Sequence, residues 1–80
     1  MNYNEIYNKV LSCLKNIVND TNNLKEDTNL FESAVLDSID TLEFLENLES
    51  VFNINIEDEV IFDDNFTTIK GIVSIIKSKI

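Results

Sequence analysis

An all-α fold, an irregular four-helix bundle with three longer helices and one short third helix, is what this sequence predicts, and three observations carry the prediction. There is no proline and only one glycine, Gly71, so little interrupts helix formation along the 80 residues. Apolar residues recur at three- and four-residue spacing in three separate stretches. The apolar fraction, 44%, is enough to close one modest core, so residues 1–80 read as a single domain.

The first helix begins near Asn2, where Glu5 three residues on completes a capping-box pattern. Tyr3, Ile6, Tyr7, Val10, Leu14, Ile17 and Val18 then make one apolar stripe. Cys13 lies beside the stripe and reads as a small buried hydrophobe. It is the only cysteine in a chain without histidine, so neither an internal disulfide nor a zinc cluster follows, and no metal site is assigned.

From Asp20 to about Leu36 the pattern dissolves into Asp, Thr and Asn, giving a long loop between helices 1 and 2. A connection of that length in a small domain is functional or is ordered by its own side chains. Leu24, Leu30, Phe31, Val35 and Leu36 are the residues that pin it, and Asn29 with Glu32 caps a single turn.

The second helix is expected from about Ser38 to Phe52, with Asp37 as its N-cap. A helical wheel gathers Leu42, Leu45, Leu48 and Phe52 inward, flanked by Phe44 and Val51. It turns Glu43, Glu46, Asn47 and Ser50 outward and leaves Asp40 at the edge. Ile39 also faces outward. An apolar side chain there is natural for a docking contact, although a lone exposed isoleucine needs no explanation.

After Asn53, a short third helix over Glu57–Phe62 is expected, with a brief strand at Ile54 and Ile56 as the second reading. Asp63-Asp64-Asn65 then breaks the chain. The last helix starts at Thr67 or Thr68, carries Ile69, Ile72, Val73, Ile76 and Ile80 inward, and places its lysines toward the C-terminal end favoured by the helix dipole. The five phenylalanines are expected to fill the interior.

The net charge of −9 is concentrated in the middle of the chain: every acid but Glu5 lies between residues 20 and 64, where Lys25 is the only cation. Such a block repels nucleic acid and anionic membrane and attracts basic protein surfaces, or simply keeps the chain soluble. No apolar run approaches the roughly 20 residues of a membrane span. No secretory signal is visible, so the sequons at Asn19-Asp20-Thr21 and Asn65-Phe66-Thr67 read as chance, and a cytoplasmic monomer is expected.

The candidate for chemistry is Ser38, which opens the second helix among carboxylates. Serine catalysis needs a general base within hydrogen-bond reach, usually histidine, and none exists here. Every lysine lies outside residues 26–69, and no Gly-rich loop is available for a nucleotide. The acidic run from Glu57 to Asp64 lacks the glycine and spacing of a calcium loop. The chain is therefore expected to be no enzyme, and Ser38 to be an acceptor that another enzyme modifies. A phosphoryl group on Ser38 suits a helix N-terminus. Asp37 and Asp40 repel the same group, so it is expected to be held outward and mobile.

Asp37-Ser38-Ile39-Asp40-Thr41-Leu42-Glu43, followed by Leu45, Leu48-Glu49 and Phe52, resembles the acyl carrier proteins, whose signature is Asp-Ser-Leu opening an acidic second helix that ends in Phe. The resemblance covers the chain in length, helix order and charge, with its core motif from Leu36 to Phe52. It implies that Ser38 carries 4′-phosphopantetheine through a phosphodiester, added from coenzyme A by a phosphopantetheinyl transferase. It also implies that the arm's thiol, not Cys13, bears acyl or aminoacyl groups as thioesters between enzymes of fatty-acid, polyketide or related biosynthesis. Asp37, Ile39, Asp40, Glu43 and Glu46 would meet basic surfaces of the loading ligase or acyltransferase and of downstream synthases.

Departures from the fatty-acid carriers point elsewhere. Ile39 replaces the commoner Leu, and the approach Glu32-Ser33-Ala34-Val35-Leu36 looks more like free-standing carriers for D-alanyl, aminoacyl or specialised acyl groups. Glu49-Ser50-Val51-Phe52 lacks an unbroken acidic run, and no proline follows Ile56. The alternative from another class is an acidic helical adaptor without a prosthetic group, in which Ser38 merely caps a helix.

Overall fold

The computed structural model describes residues 1–18, 21, 24–32 and 36–80. Three α-helices, α1 (Tyr3–Lys15), α2 (Ser38–Phe52) and α3 (Ile69–Lys79), are joined by loops and by two successive 3₁₀ turns, Asp58–Phe62 and Asp64–Thr67. No strand occurs among the described residues.

α1 starts on the capping box that its sequence predicts. The Asn2 side chain accepts from the Glu5 amide at 2.9 Å, and the Glu5 carboxylate accepts from the Asn2 amide at 3.5 Å. Ile6, Val10, Cys13 and Leu14 are buried. The helix stops at Lys15, short of the end of its apolar stripe. The Ile17 and Val18 amides both donate to the Leu14 carbonyl, and the two side chains pack half-buried against the core from outside the helix. α1 packs on both α2 and α3.

The loop that follows is held by backbone bonds to α3 and to the turn before it. The Leu30 amide donates to the Thr67 carbonyl at 2.8 Å, and the Lys70 amide, one of the first-turn donors of α3, is satisfied by the Glu26 carbonyl at 2.9 Å. The Tyr3 hydroxyl donates to the Glu26 carboxylate at 3.0 Å. Leu30 and Leu36 are buried, Leu24 and Phe31 half-buried. The expected Asn29 cap is present, its side-chain oxygen accepting from the amides of Phe31 (3.0 Å) and Glu32 (2.9 Å). Val35 and the Asn19-Asp20 part of the first sequon lie outside the described residues.

α2 corrects the wheel. Its core face is Thr41, Phe44, Leu45, Leu48 and Phe52, while Leu42 is 60% and Val51 46% exposed. At about 100° per residue Thr41, Leu48 and Phe52 lie near the centre of that face and Phe44 toward one edge, while Leu42 falls rather more than a quarter turn from the centre on the other side. α2 ends at Asn53, whose left-handed backbone (φ 54°) suits asparagine and turns the chain back. The Ile56 amide then donates to the Glu49 carboxylate at 3.0 Å, and that bond stands where the second reading put a strand ladder.

The short third helix is a 3₁₀ turn, and the break expected at Asp63-Asp64-Asn65 falls on Asp63 alone, whose extended backbone ends that turn. The Asp63 carboxylate accepts from the Asn65 amide at 2.9 Å and starts a second 3₁₀ turn, which buries Phe66. Thr68 caps α3, its hydroxyl accepting from the Gly71 amide at 3.0 Å. Ile69, Ile72, Val73 and Ile76 are buried, but Ile80 follows the end of α3 and is half-exposed. Nor do all five phenylalanines fill the interior. Phe44, Phe52 and Phe66 do, Phe31 is half-buried, and Phe62 on the first 3₁₀ turn is 86% exposed. Gly71 is required by close packing: a Cβ there would fall 1.7 Å from the Asn65 carbonyl oxygen, so α3 lies directly on the backbone of the second 3₁₀ turn.

Candidate functional site

Ser38 is the first residue of α2, and Asp37 before it supplies the cap. The Asp37 carboxylate accepts from the Asp40 amide at 2.8 Å. The Asp37 carbonyl accepts from the Thr41 amide at 2.9 Å and from the buried Thr41 hydroxyl at 2.7 Å. An N-cap of this kind is worth about 1 kcal/mol of stability. Because Asp37 does the capping, the Ser38 hydroxyl is left exposed and has no hydrogen bond among the described residues.

Around Ser38 the expected surface comes together on one helix. Asp37, Glu43 and Glu46 are exposed, Asp40 is half-buried at the edge, and Ile39 is 77% exposed. None of these acids forms an ion pair with a lysine among the described residues. Their negative potential is therefore open to an approaching cation. Glu49, on the same helix, is half-buried, and one of its carboxylate oxygens accepts from the Ile56 amide.

The sequence reading missed a groove beside the serine. A cavity of about 510 Å³ opens at the start of α2, lined by Phe31, Leu36, Asp37, Ser38, Thr41 and Leu42. One wall is the capped loop and the other is the first turns of α2. The signal available in the sequence was the four-residue spacing of Ser38 and Leu42, which puts both on one flank of a helix. The wheel gave Leu42 to the core instead.

Cys13 is 2% exposed, and burial pushes its thiol above the ordinary range, which keeps it protonated and unreactive at neutral pH. No group of three or more metal-ligating side chains gathers among the described residues. No helix is long and apolar enough to cross a membrane.

The model of a protein family described as a phosphopantetheine attachment site matches residues 8–76, a span that runs from within α1 to near the end of α3. The comparison with curated proteins returns no match.

Proposed function

The chain belongs to the phosphopantetheine attachment site family, and from that premise we propose that Ser38 is the residue on which it carries the prosthetic group. Members of this family are non-catalytic carrier domains bearing 4′-phosphopantetheine, served by a phosphopantetheinyl transferase and by client enzymes. When bound, the group supplies a thiol that holds cargo as a thioester.

The observation that carries the assignment is the state of the Ser38 hydroxyl: exposed, at the start of α2, and relieved of capping by Asp37. The fit is good on the donor side, since the first turn of α2 presents the positive end of a helix dipole to a phosphodiester. In loading, the Ser38 oxygen would form a bond to the phosphorus that bears pantetheine as the pyrophosphate bond of coenzyme A breaks and adenosine 3′,5′-bisphosphate leaves. The serine proton passes to the transferase, because this chain has no histidine to take it. The adaptor reading gave Ser38 a capping role, and that role belongs to Asp37.

The docking surface in this reading is Asp37, Ile39, Asp40, Glu43 and Glu46, an acidic strip around one exposed isoleucine that suits brief encounters with basic enzyme surfaces. The cargo in this reading is an acyl or aminoacyl group of fatty-acid, polyketide or related biosynthesis, with Ile39 and the approach from Glu32 to Leu36 favouring a specialised or D-alanyl type of carrier. Residues 1–80 act as one carrier domain, a monomer working in the cytoplasm where coenzyme A is at hand. Incubation with coenzyme A and a broad-specificity phosphopantetheinyl transferase is expected to add the mass of one phosphopantetheine to the chain, and Ser38→Ala to abolish the gain. A gain that survives the substitution would move the attachment to another residue.

A further inference from the structure

We propose that residues 54–62, between α2 and the second 3₁₀ turn, form a strap that opens as a unit while the bundle stays folded, and that the Glu49 carboxylate is its latch. Ser38 lies at the opposite end of α2, roughly 20 Å away at 1.5 Å per residue. The strap's opening does not depend on what Ser38 carries.

Both ends of the strap are fixed. At the near end the left-handed Asn53 turns the chain out of α2, its amide donating to the Glu49 carbonyl. At the far end the Asp63 carboxylate starts the second 3₁₀ turn, which lies so close on α3 that Gly71 has no room for a Cβ. Between these points little holds the segment. The backbone of the first 3₁₀ turn approaches that of the second turn but that of none of the three helices. Its own bonds are short-range, the Val60 amide donating to the Glu57 carbonyl and the Asp63 amide to the Val60 carbonyl, each at 3.0 Å. Phe62 is exposed and Ile54 and Val60 are half-buried, so that among the strap's described side chains Ile56 is the one buried in the core.

Among the described residues two hydrogen bonds tie the strap to the bundle, and both end on Glu49. The Ile54 amide donates to its carbonyl at 3.2 Å, and the Ile56 amide to its carboxylate at 3.0 Å. The first bond prolongs the end of the helix. The second is a side chain reaching seven residues ahead, and a bond to a charged acceptor is stronger than one between neutral groups. It fixes the amide of the strap's buried residue, so its loss frees Ile56 to leave the core. Charge acts in the opposite sense. The strap carries Glu57 and Glu59 and no lysine, so with the bond broken Glu49 and the strap repel each other. A segment with few buried apolar contacts and exposed backbone bonds opens at a lower free energy than the whole domain. Opening uncovers the apolar interior at the C-terminal end of α2 while Asn53 and Asp63 stay in place.

Native-state hydrogen exchange of the whole chain, read amide by amide by nuclear magnetic resonance, tests both the strap and its latch. In the parent chain the Ile56, Val60 and Asp63 amides are expected to share one level of protection, roughly tenfold or more below that of Val10 on α1 and Ile72 on α3. Equal protection at all of these positions would mean that the segment opens only when the bundle unfolds, and would overturn the strap. Glu49→Ala is expected to speed exchange at Val60 and Asp63 by roughly ten- to a hundredfold, with Val10 and Ile72 changed much less. The same acceleration at every position would give Glu49 a general part in stability and reject it as a latch. Glu49→Gln keeps an oxygen for the Ile56 amide and is expected to recover part of the lost protection. A glutamine variant that exchanges as fast as the alanine one would show that this bond does not hold the strap. The parent pattern and Glu49→Gln decide the matter even where Glu49→Ala fails to fold.

Discussion

α3 buries Ile69, Ile72, Val73 and Ile76, whereas α2 leaves Ile39, Leu42 and Val51 in solvent, although both helices begin on a side-chain cap and both are rich in apolar residues. On α3 the remaining positions are mostly polar, Lys70, Ser74, Lys77, Ser78 and Lys79, so its single apolar stripe has one way to face. α2 carries more apolar residues than its core face holds. Two of the surplus, Ile39 and Leu42, sit within one turn of Ser38. The difference teaches that α3 turns its apolar residues almost wholly inward, and that α2 divides its own between the bundle and the solvent-facing surface.

The sharpest way to break that division is to truncate one residue from each side of it. Phe44 is fully buried, its ring 6.4 Å from that of Phe66, and Phe44→Ala is expected to cost about 3–5 kcal/mol. That is a large part of the roughly 5–15 kcal/mol that holds a small domain together. Leu42→Ala, two residues away, is expected to change stability by no more than about 0.5 kcal/mol. Denaturant unfolding of the two variants measures both. Equal costs would mean that α2 is rotated from the face described.

Gly71 offers the next largest effect, and on the other helix. In an exposed helix interior, glycine to alanine gains up to about 1 kcal/mol. Here the added Cβ would meet the Asn65 backbone oxygen at 1.7 Å, with no flexible side chain to move aside. Gly71→Ala is therefore expected to lose about 1–3 kcal/mol or more through overpacking. A stabilised variant in the same unfolding assay would show that α3 stands off the second 3₁₀ turn.

The same contrast explains what the sequence disclosed. Caps were legible because they are local: Asn2 with Glu5, Asp37 with Asp40 and Asn29 with Glu32 each act within three residues. The inward face of α3 was legible up to Ile76. The orientation of α2 was not, because Leu42 and Phe44 are both apolar and packing on residues distant in sequence, on α1 and at Phe66, goes with Phe44 being the one inside. The bond from Asp63 to the Asn65 amide is local too, but three polar residues in a row read as a break. The groove needed two elements at once, the loop at Phe31 and the helix at Leu42, and periodicity describes one element at a time.

The loop wall of the groove is anchored away from α2, and that anchor gives a smaller, pH-dependent effect. Desolvation first, and then its hydrogen bond to Glu26, raise the Tyr3 phenol above its ordinary value. The folded chain thus holds this proton more tightly than the unfolded chain does. The stabilisation is fully present below the unfolded tyrosine pKa of about 10 and is lost as pH rises through the folded value. Thermal unfolding of Tyr3→Phe is expected to show a weaker fall in stability across that alkaline window than the parent chain. Matching slopes would exclude Tyr3 as their source.

The smallest effect on stability is expected where the effect on partners is greatest. Glu43 and Glu46 are exposed and unpaired among the described residues, so Glu43→Lys with Glu46→Lys is expected to shift unfolding by less than about 0.5 kcal/mol. If α2 is the surface that basic enzymes meet, the double variant removes the attraction that steers them, and transferase loading slows at low salt. Added salt screens the attraction in the parent chain and should close the gap between the two rates. Lys77→Glu on the solvent face of α3 is the control, since a change there makes the molecule more acidic without touching α2. Loading that is as fast in the double variant as in the parent would remove Glu43 and Glu46 from the docking surface. Loading slowed as much by Lys77→Glu would mean that partners sense net charge rather than one helix.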